Sequence, residues 1–103
     1  MCEKASKQLT KGNFRLEGHI DVPAIRLPEI ELELPRHIEL TRAEPGCLYF
    51  NVDACPEKPG RFKVSEAFVD RKAFEAHQQR IRNSSWADVS RNIPREYESW
   101  VVG

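Results

Sequence analysis

The chain changes its hydrophobic period at Asp70, and this joint constrains the fold more than any other feature. Before it, residues 61–69 alternate: Phe62, Val64, Glu66 and Phe68 share one face, and Arg61, Lys63 and Ser65 the other. A period of two is that of a half-buried strand. After it, Phe74, His77 and Ile81 recur at helical spacing, Asp70 is placed to cap the first turn, and the helix runs to about Arg82. A strand that feeds straight into a helix lays that helix over the sheet's apolar face. Glu66 and His77, the ionisable residues on these two apolar faces, should therefore point inward together. A buried carboxylate costs several kcal/mol unless it is paired, hydrogen-bonded or protonated. The pattern predicts the floor and roof of a polar pocket.

The rest of the chain supplies the layers. Residues 13–22 alternate Phe14, Leu16, Gly18, Ile20 and Val22 against Arg15, Glu17, His19 and Asp21, which predicts a first strand. Pro23 and Pro28 close it. Residues 29–41 suit a helix with a stripe of Ile30, Leu34, Ile38 and Thr41; Pro35 predicts a short piece before it and a better helix after it. Pro45-Gly46 is a stop and turn. Residues 47–54 form a second strand, 56–60 a stiff loop, and the strand before Asp70 completes a hairpin. Asn83-Ser84-Ser85 breaks the second long helix. A short helix with Trp86, Val89 and Ile93 follows, ended by Pro94, and residues 95–102 form a fourth strand with Tyr97, Trp100 and Val101. Strand, helix, strand, strand, helix, strand is an α+β, ferredoxin-like split βαβ: an antiparallel sheet with helices on one face. Its other face needs cover. A second copy is the simplest cover, which predicts a homodimer. Residues 1–12 read as a flexible polar tail and 13–103 as a single domain.

Composition narrows the class. The chain has 103 residues, enough for one domain, and 16 positive residues balance 16 negative ones. With no basic stripe interleaved with aromatics, no nucleic-acid partner is expected. No apolar run approaches the roughly 20 residues of a membrane span, and the lysine-bearing start has no apolar signal core. The three cysteines, Cys2, Cys47 and Cys55, are odd in number without a secretory signal, which argues for reduced thiols and a cytoplasmic protein. Cys47 and Cys55 lie near opposite ends of one strand, so reach argues against a bridge. No Cys or His pair has zinc-ligand spacing, and no metal is expected.

Arg42-Ala43-Glu44-Pro45-Gly46-Cys47-Leu48, Glu66-x-Phe68-x-Asp70, Ala73-Phe74-x-x-His77-Gln78 and Trp86 follow one another in an order and spacing that resembles the antibiotic biosynthesis monooxygenase family. The resemblance covers about Gly18 to Tyr97. It implies small dimeric α/β barrels built from ferredoxin-like protomers, with members that oxidise aromatic polyketides or quinols without a cofactor, relatives that degrade haem, and others with no assigned substrate. The haem-degrading branch carries an Asn on its first strand; here Asn13 lies just before it. His77 stands where that branch carries its Trp, so haem is disfavoured.

Oxygen in its ground state reacts slowly with neutral closed-shell organics and faster with an electron-rich phenolate or carbanion. A protein that removes a proton and excludes water can therefore promote oxidation with no metal or flavin. A base of near-neutral pKa suits that step, and His77 is the candidate base, or donor to a developing oxyanion. Glu66 can orient His77 or bind a substrate hydroxyl. Trp86 and Tyr97 can wall in a flat substrate alongside Phe68 and Phe74. Asn51 can donate to a carbonyl or peroxide oxygen, although it sits on the polar face of its strand. Structural roles compete with each of these. Trp86 can be core packing, Tyr97 and Trp100 core or dimer contacts, and Cys47 a small hydrophobe. Arg42 and Glu44 can set the helix end and turn, and Arg80 and Arg82 a solvated helix face, with Arg80 in reach of a pocket mouth. The two function classes are a cofactor-free monooxygenase of an electron-rich aromatic or quinol and a dimer that holds a small hydrophobic ligand without turnover.

Overall fold

A computed structural model of the chain describes residues 9–103. Cys2 and most of the sequence-defined tail lie outside the described residues. Four strands and three helices follow in the order β1 (Phe14–Asp21), α1 (Leu27–Arg42), β2 (Cys47–Ala54), β3 (Arg61–Phe68), α2 (Arg71–Arg82), α3 (Ser85–Val89) and β4 (Arg95–Val101), with a 3-10 turn at Ala24–Arg26 ahead of α1. The strands make one sheet in the order β2-β3-β1-β4, with every neighbouring pair antiparallel. This is the split βαβ arrangement that the element order predicts. No helix among the described residues is long and apolar enough to cross a membrane.

Alternation carries through the register. Leu16 on β1 is opposite Glu66 on β3 and Ser99 on β4, and Gly18 is opposite Val64 and Tyr97. Gly18 is required by close approach: a Cβ there would sit 2.0 Å from the Glu96 carbonyl oxygen and 2.5 Å from the Tyr97 ring. The missing side chain makes the space that Tyr97 fills. At the far end of the hairpin, Gly60 takes φ +89° and the Cys55 amide donates to the Arg61 carbonyl at 2.9 Å. A bulge between Cys47 and Tyr49 shifts the β2–β3 register.

Helix α1 runs unbroken through Pro35, which corrects the expectation of two pieces. Proline removes one N–H, so the Glu31 carbonyl loses its helical partner. Both residues are exposed, and water can satisfy that carbonyl. The buried stripe of Ile30, Leu34, His37 and Thr41 anchors the helix on either side of the lesion. His37 takes the inward place the sequence pattern assigned to Ile38, which is half-buried.

The core joins helices to sheet through Ile20, Val22, Ile30, Leu34, Phe62, Trp86 and Ile93. Asp70 caps α2 by accepting from the Ala73 amide at 2.8 Å. The chain ahead of β1 is pinned: the Gly12 amide donates to the Val102 carbonyl at 2.8 Å, and the Thr10 amide to the Asn13 side chain at 2.8 Å. All seven residues of the edge strand β4 are exposed, including Tyr97, Trp100 and Val101.

Candidate active site

The strand-to-helix joint brings Glu66 and His77 together as the sequence predicts. His77, on the inner face of α2, is 1% exposed, and Glu66, on the inner face of β3, is 6% exposed. His77 Nε2 stands 3.8 Å from Glu66 Oε1, beyond hydrogen-bond length. The other ring nitrogen is held firmly. Nδ1 lies 3.0 and 3.2 Å from the two oxygens of Glu44, just past the end of α1. Glu44 is also bound by Arg80 Nε at 2.5 Å, while Arg80 Nη2 donates to Thr41 Oγ1 at 2.9 Å. A carboxylate paired with arginine only accepts, so Nδ1 carries the proton and Nε2 presents its lone pair toward Glu66. The orienting partner of His77 is thus Glu44.

His77 and Glu66 edge a partly enclosed cavity of about 180 Å³ between helices and sheet. His37, Trp86 and Ile81 line its helix side, Leu16, Val64 and Glu66 its sheet side, and Tyr97 and Arg95 its β4 rim. His37 stacks on Trp86 with centroids 4.5 Å apart and planes at 5°, and meets the edge of Phe50 at 5.3 Å. Burial drives the titrations. Desolvation, with Glu44 and Glu17 adding repulsion, pushes the Glu66 carboxyl up to about 8. Burial lowers His77 below its ordinary value; the Glu44 contact opposes that shift and Arg80 adds to it. Burial, helped by His77 and Arg80, takes His37 down to about 3. Tyr97 is raised to about 12, chiefly by burial of its hydroxyl. At neutral pH the cavity is lined by neutral imidazoles and a largely protonated carboxyl.

Residues 14–82, most of the chain, match the family model for antibiotic biosynthesis monooxygenases. The chain belongs to this family. No curated protein matches it in sequence. Three solved structures of proteins whose names assign them to the same monooxygenases share its fold. One from Nitrosomonas europaea is 19% identical over 94% of this chain and 100% of its own, with TM-score 0.78. One from Deinococcus radiodurans is 20% identical over 87% and 92%, with TM-score 0.76. One from Bacteroides thetaiotaomicron is 22% identical over 89% of each chain, with TM-score 0.74.

In this family member the other sequence-derived candidates divide by position. Trp86 and Tyr97 line the cavity. Phe68 and Phe74 stand behind His77: Phe68 stacks tilted on it at 4.9 Å, and Phe74 packs on Phe14 at 4.5 Å. They brace the imidazole without opening onto the cavity. Asn51 alternates with Phe50 onto the opposite face of the sheet, where its Oδ1 accepts from Arg42 Nη2 at 3.0 Å. Arg42 also donates from Nε to the Phe50 carbonyl at 2.9 Å, so Asn51 helps clasp the sheet edge and lies apart from the cavity. Sequence reasoning missed His37 and the ties that join Glu44, Arg80 and His77. His37 carried a usable signal, since Leu34, His37 and Thr41 share the i, i+3, i+7 stripe. Glu44 was read as setting the turn and Arg80 as in reach of a pocket mouth, but a turn residue and a helix arginine meet only through tertiary packing. Among the described residues no group of three or more His, Cys, Asp or Glu is placed to hold a metal ion.

Proposed function

We propose that the chain is a monooxygenase that oxidises an electron-rich aromatic or quinol with molecular oxygen, without metal or flavin, using His77 as the base. One observation carries this reading. A deeply buried imidazole is fixed at Nδ1 by a carboxylate and offers Nε2 to a cavity that holds an unpaired carboxyl. The geometry suits general-base work: Glu44 sets the tautomer and supports the imidazolium that forms, and the walls keep bulk water from it. Protonated Glu66 donates to a substrate oxygen or to Nε2. The substrate anion supplies all four electrons. One oxygen atom enters the ring and the other leaves as water.

The reading includes a homodimer. The open sheet face carries the exposed Trp100 beside a broad concavity of about 620 Å³ rimmed by both signs of charge, Glu17, Glu96 and Glu98 against Arg61 and Lys63. Such a face can complement its own copy across a two-fold axis. Oxygen uptake tests the activity. Chelator-treated protein is offered hydroquinones, naphthols and anthrones beside His77→Ala. Fast uptake with one ring class, lost about 10²-fold or more in the variant, is expected from removal of a general base. No uptake above the uncatalysed rate across the panel leaves a ligand-binding dimer without turnover.

A further inference from the structure

His37 gives the cavity a second polar pole. Nδ1 of His37 and Oε1 of Glu66 are the two buried side-chain polar atoms without a hydrogen-bond partner among the described residues. Both residues line the one cavity, His37 from α1 and Glu66 from the sheet. Buried polar atoms are ordinarily paired, and each exception calls for a cause. Neither can escape to solvent, at 5% and 6% exposed. Nor can His37 turn freely, because its ring is stacked on Trp86 at 4.5 Å and abuts Phe50 at 5.3 Å. The space between is small. An apolar cavity of about 150 Å³ accommodates benzene, and this one is about 180 Å³. Its size therefore suits a single ring, and two of its lining residues, His37 and Glu66, carry a buried polar atom without a partner.

We infer that the cavity selects a single six-membered ring carrying two oxygen substituents, one bonded to Glu66 and the other to His37, and that His37 is the specificity-determining residue for the second oxygen. The inference rests on the aromatic-oxidation reading of the same cavity and narrows it. Neutral His37 can donate or accept at Nδ1 by choice of tautomer, so a hydroxyl or a carbonyl oxygen satisfies it. Fused tricyclic substrates exceed the space unless the Ile81 or Tyr97 wall gives way.

Anaerobic calorimetric titration tests this with phenol, 1,3- and 1,4-dihydroxybenzene and 9,10-dihydroxyanthracene, on the wild type and His37→Phe. Phenylalanine keeps a ring against Trp86 and removes the nitrogen. One of the dihydroxybenzenes is expected to bind the wild type about tenfold or more tighter than phenol, the scale of one well-placed hydrogen bond. In His37→Phe that preference is expected to vanish while phenol affinity holds, and the tricycle is expected not to bind. A wild type that does not distinguish phenol from either diol overturns the inference. So does an undiminished preference in His37→Phe, or a tricycle that binds as tightly as a diol. Nitrogen-15 histidine spectra of the wild type give a reading that needs no variant to fold, since the chain has three histidines. The His37 Nδ1 resonance should move with saturating diol and not with phenol; an unmoved resonance counts against the inference. Oxygen uptake on the same compounds separates the two claims. A diol bound as described yet not oxidised keeps this inference and removes the oxygenase. A tricycle oxidised rapidly while the diols do not bind does the reverse.

Discussion

At the scale of single residues, the site is a set of groups whose ordinary charges have been suppressed. Glu66 rises to about 8 because burial penalises its anion. An acid whose folded pKa is raised binds more protons folded than unfolded, so stability is lost as pH rises from the unfolded value toward the folded one. His37 and His77 are lowered, and their cost falls below the ordinary histidine range near 6.5. Of these three groups only Glu66 contributes between about pH 6.5 and 8, with a slope approaching 1.4 kcal/mol per pH unit at most. Thermal melts of the wild type should fall across that window, and Glu66→Gln should flatten the fall. An equally steep fall in the variant would show that another group carries it. Glu44 acts differently, as a positioning residue. Its contact raises His77 against the pull of burial, so Glu44→Gln should move the acidic limb of the kcat profile to lower pH, cut kcat about tenfold and leave KM close to its wild-type value. A uniform loss of kcat with an unmoved limb would assign Glu44 to structure alone. Glu66 and His77 were legible because each interrupts a clean apolar period. Glu44 was not, because its role depends on Arg80 and His77, 36 and 33 residues away.

At the scale of elements, local chemistry and tertiary packing agree at most joints and conflict at Pro35. The strand ends, the hairpin and the Asp70 cap follow from alternation, Gly60 and cap preference, all local signals. The continuity of α1 does not. A proline inside a helix costs about 3 kcal/mol in isolation, and the sequence reading broke the helix on that ground. Burial of Ile30, Leu34, His37 and Thr41 offsets this cost. Because Pro35 is exposed and removes only one hydrogen bond, Pro35→Ala should raise stability by about 1–3 kcal/mol, seen as a higher Tm in circular dichroism. A lower Tm would mean that the ring itself packs favourably. The opposite case is Asp70→Ala. It removes the cap on the Ala73 amide and should cost about 1 kcal/mol, a Tm drop of several degrees for a domain of this size.

At the scale of the whole molecule, helices cover one sheet face, while the other combines buried residues on β2 and β3, Tyr49, Asn51 and Ala67, with an open stretch on β4. Helices α1, α2 and α3 seal the inner face and enclose the cavity. The outer face presents Trp100 at 39% exposure, with Arg15 set 5.5 Å over its ring. An exposed tryptophan beside alternating charges on an edge strand is what an isologous interface needs: an apolar anchor with a polar rim that fixes register. That asymmetry follows from the element order itself, since both long crossover helices of a split βαβ fall on one side. The sequence therefore predicts a face without helical cover, whereas Tyr97, shared between the cavity rim and the outer concavity, links the two faces only once the sheet is folded. If a second copy covers the face, Trp100→Glu places a charge at the centre of the contact and should give a monomer in sedimentation velocity at micromolar protein. The wild type should sediment as a dimer, with a Tm that rises with protein concentration, and the variant's Tm should be lower and independent of it, because association stabilises by mass action. A wild type that sediments as a monomer across the concentration range would leave the outer face to a different partner, and the cavity chemistry would then belong to a single chain.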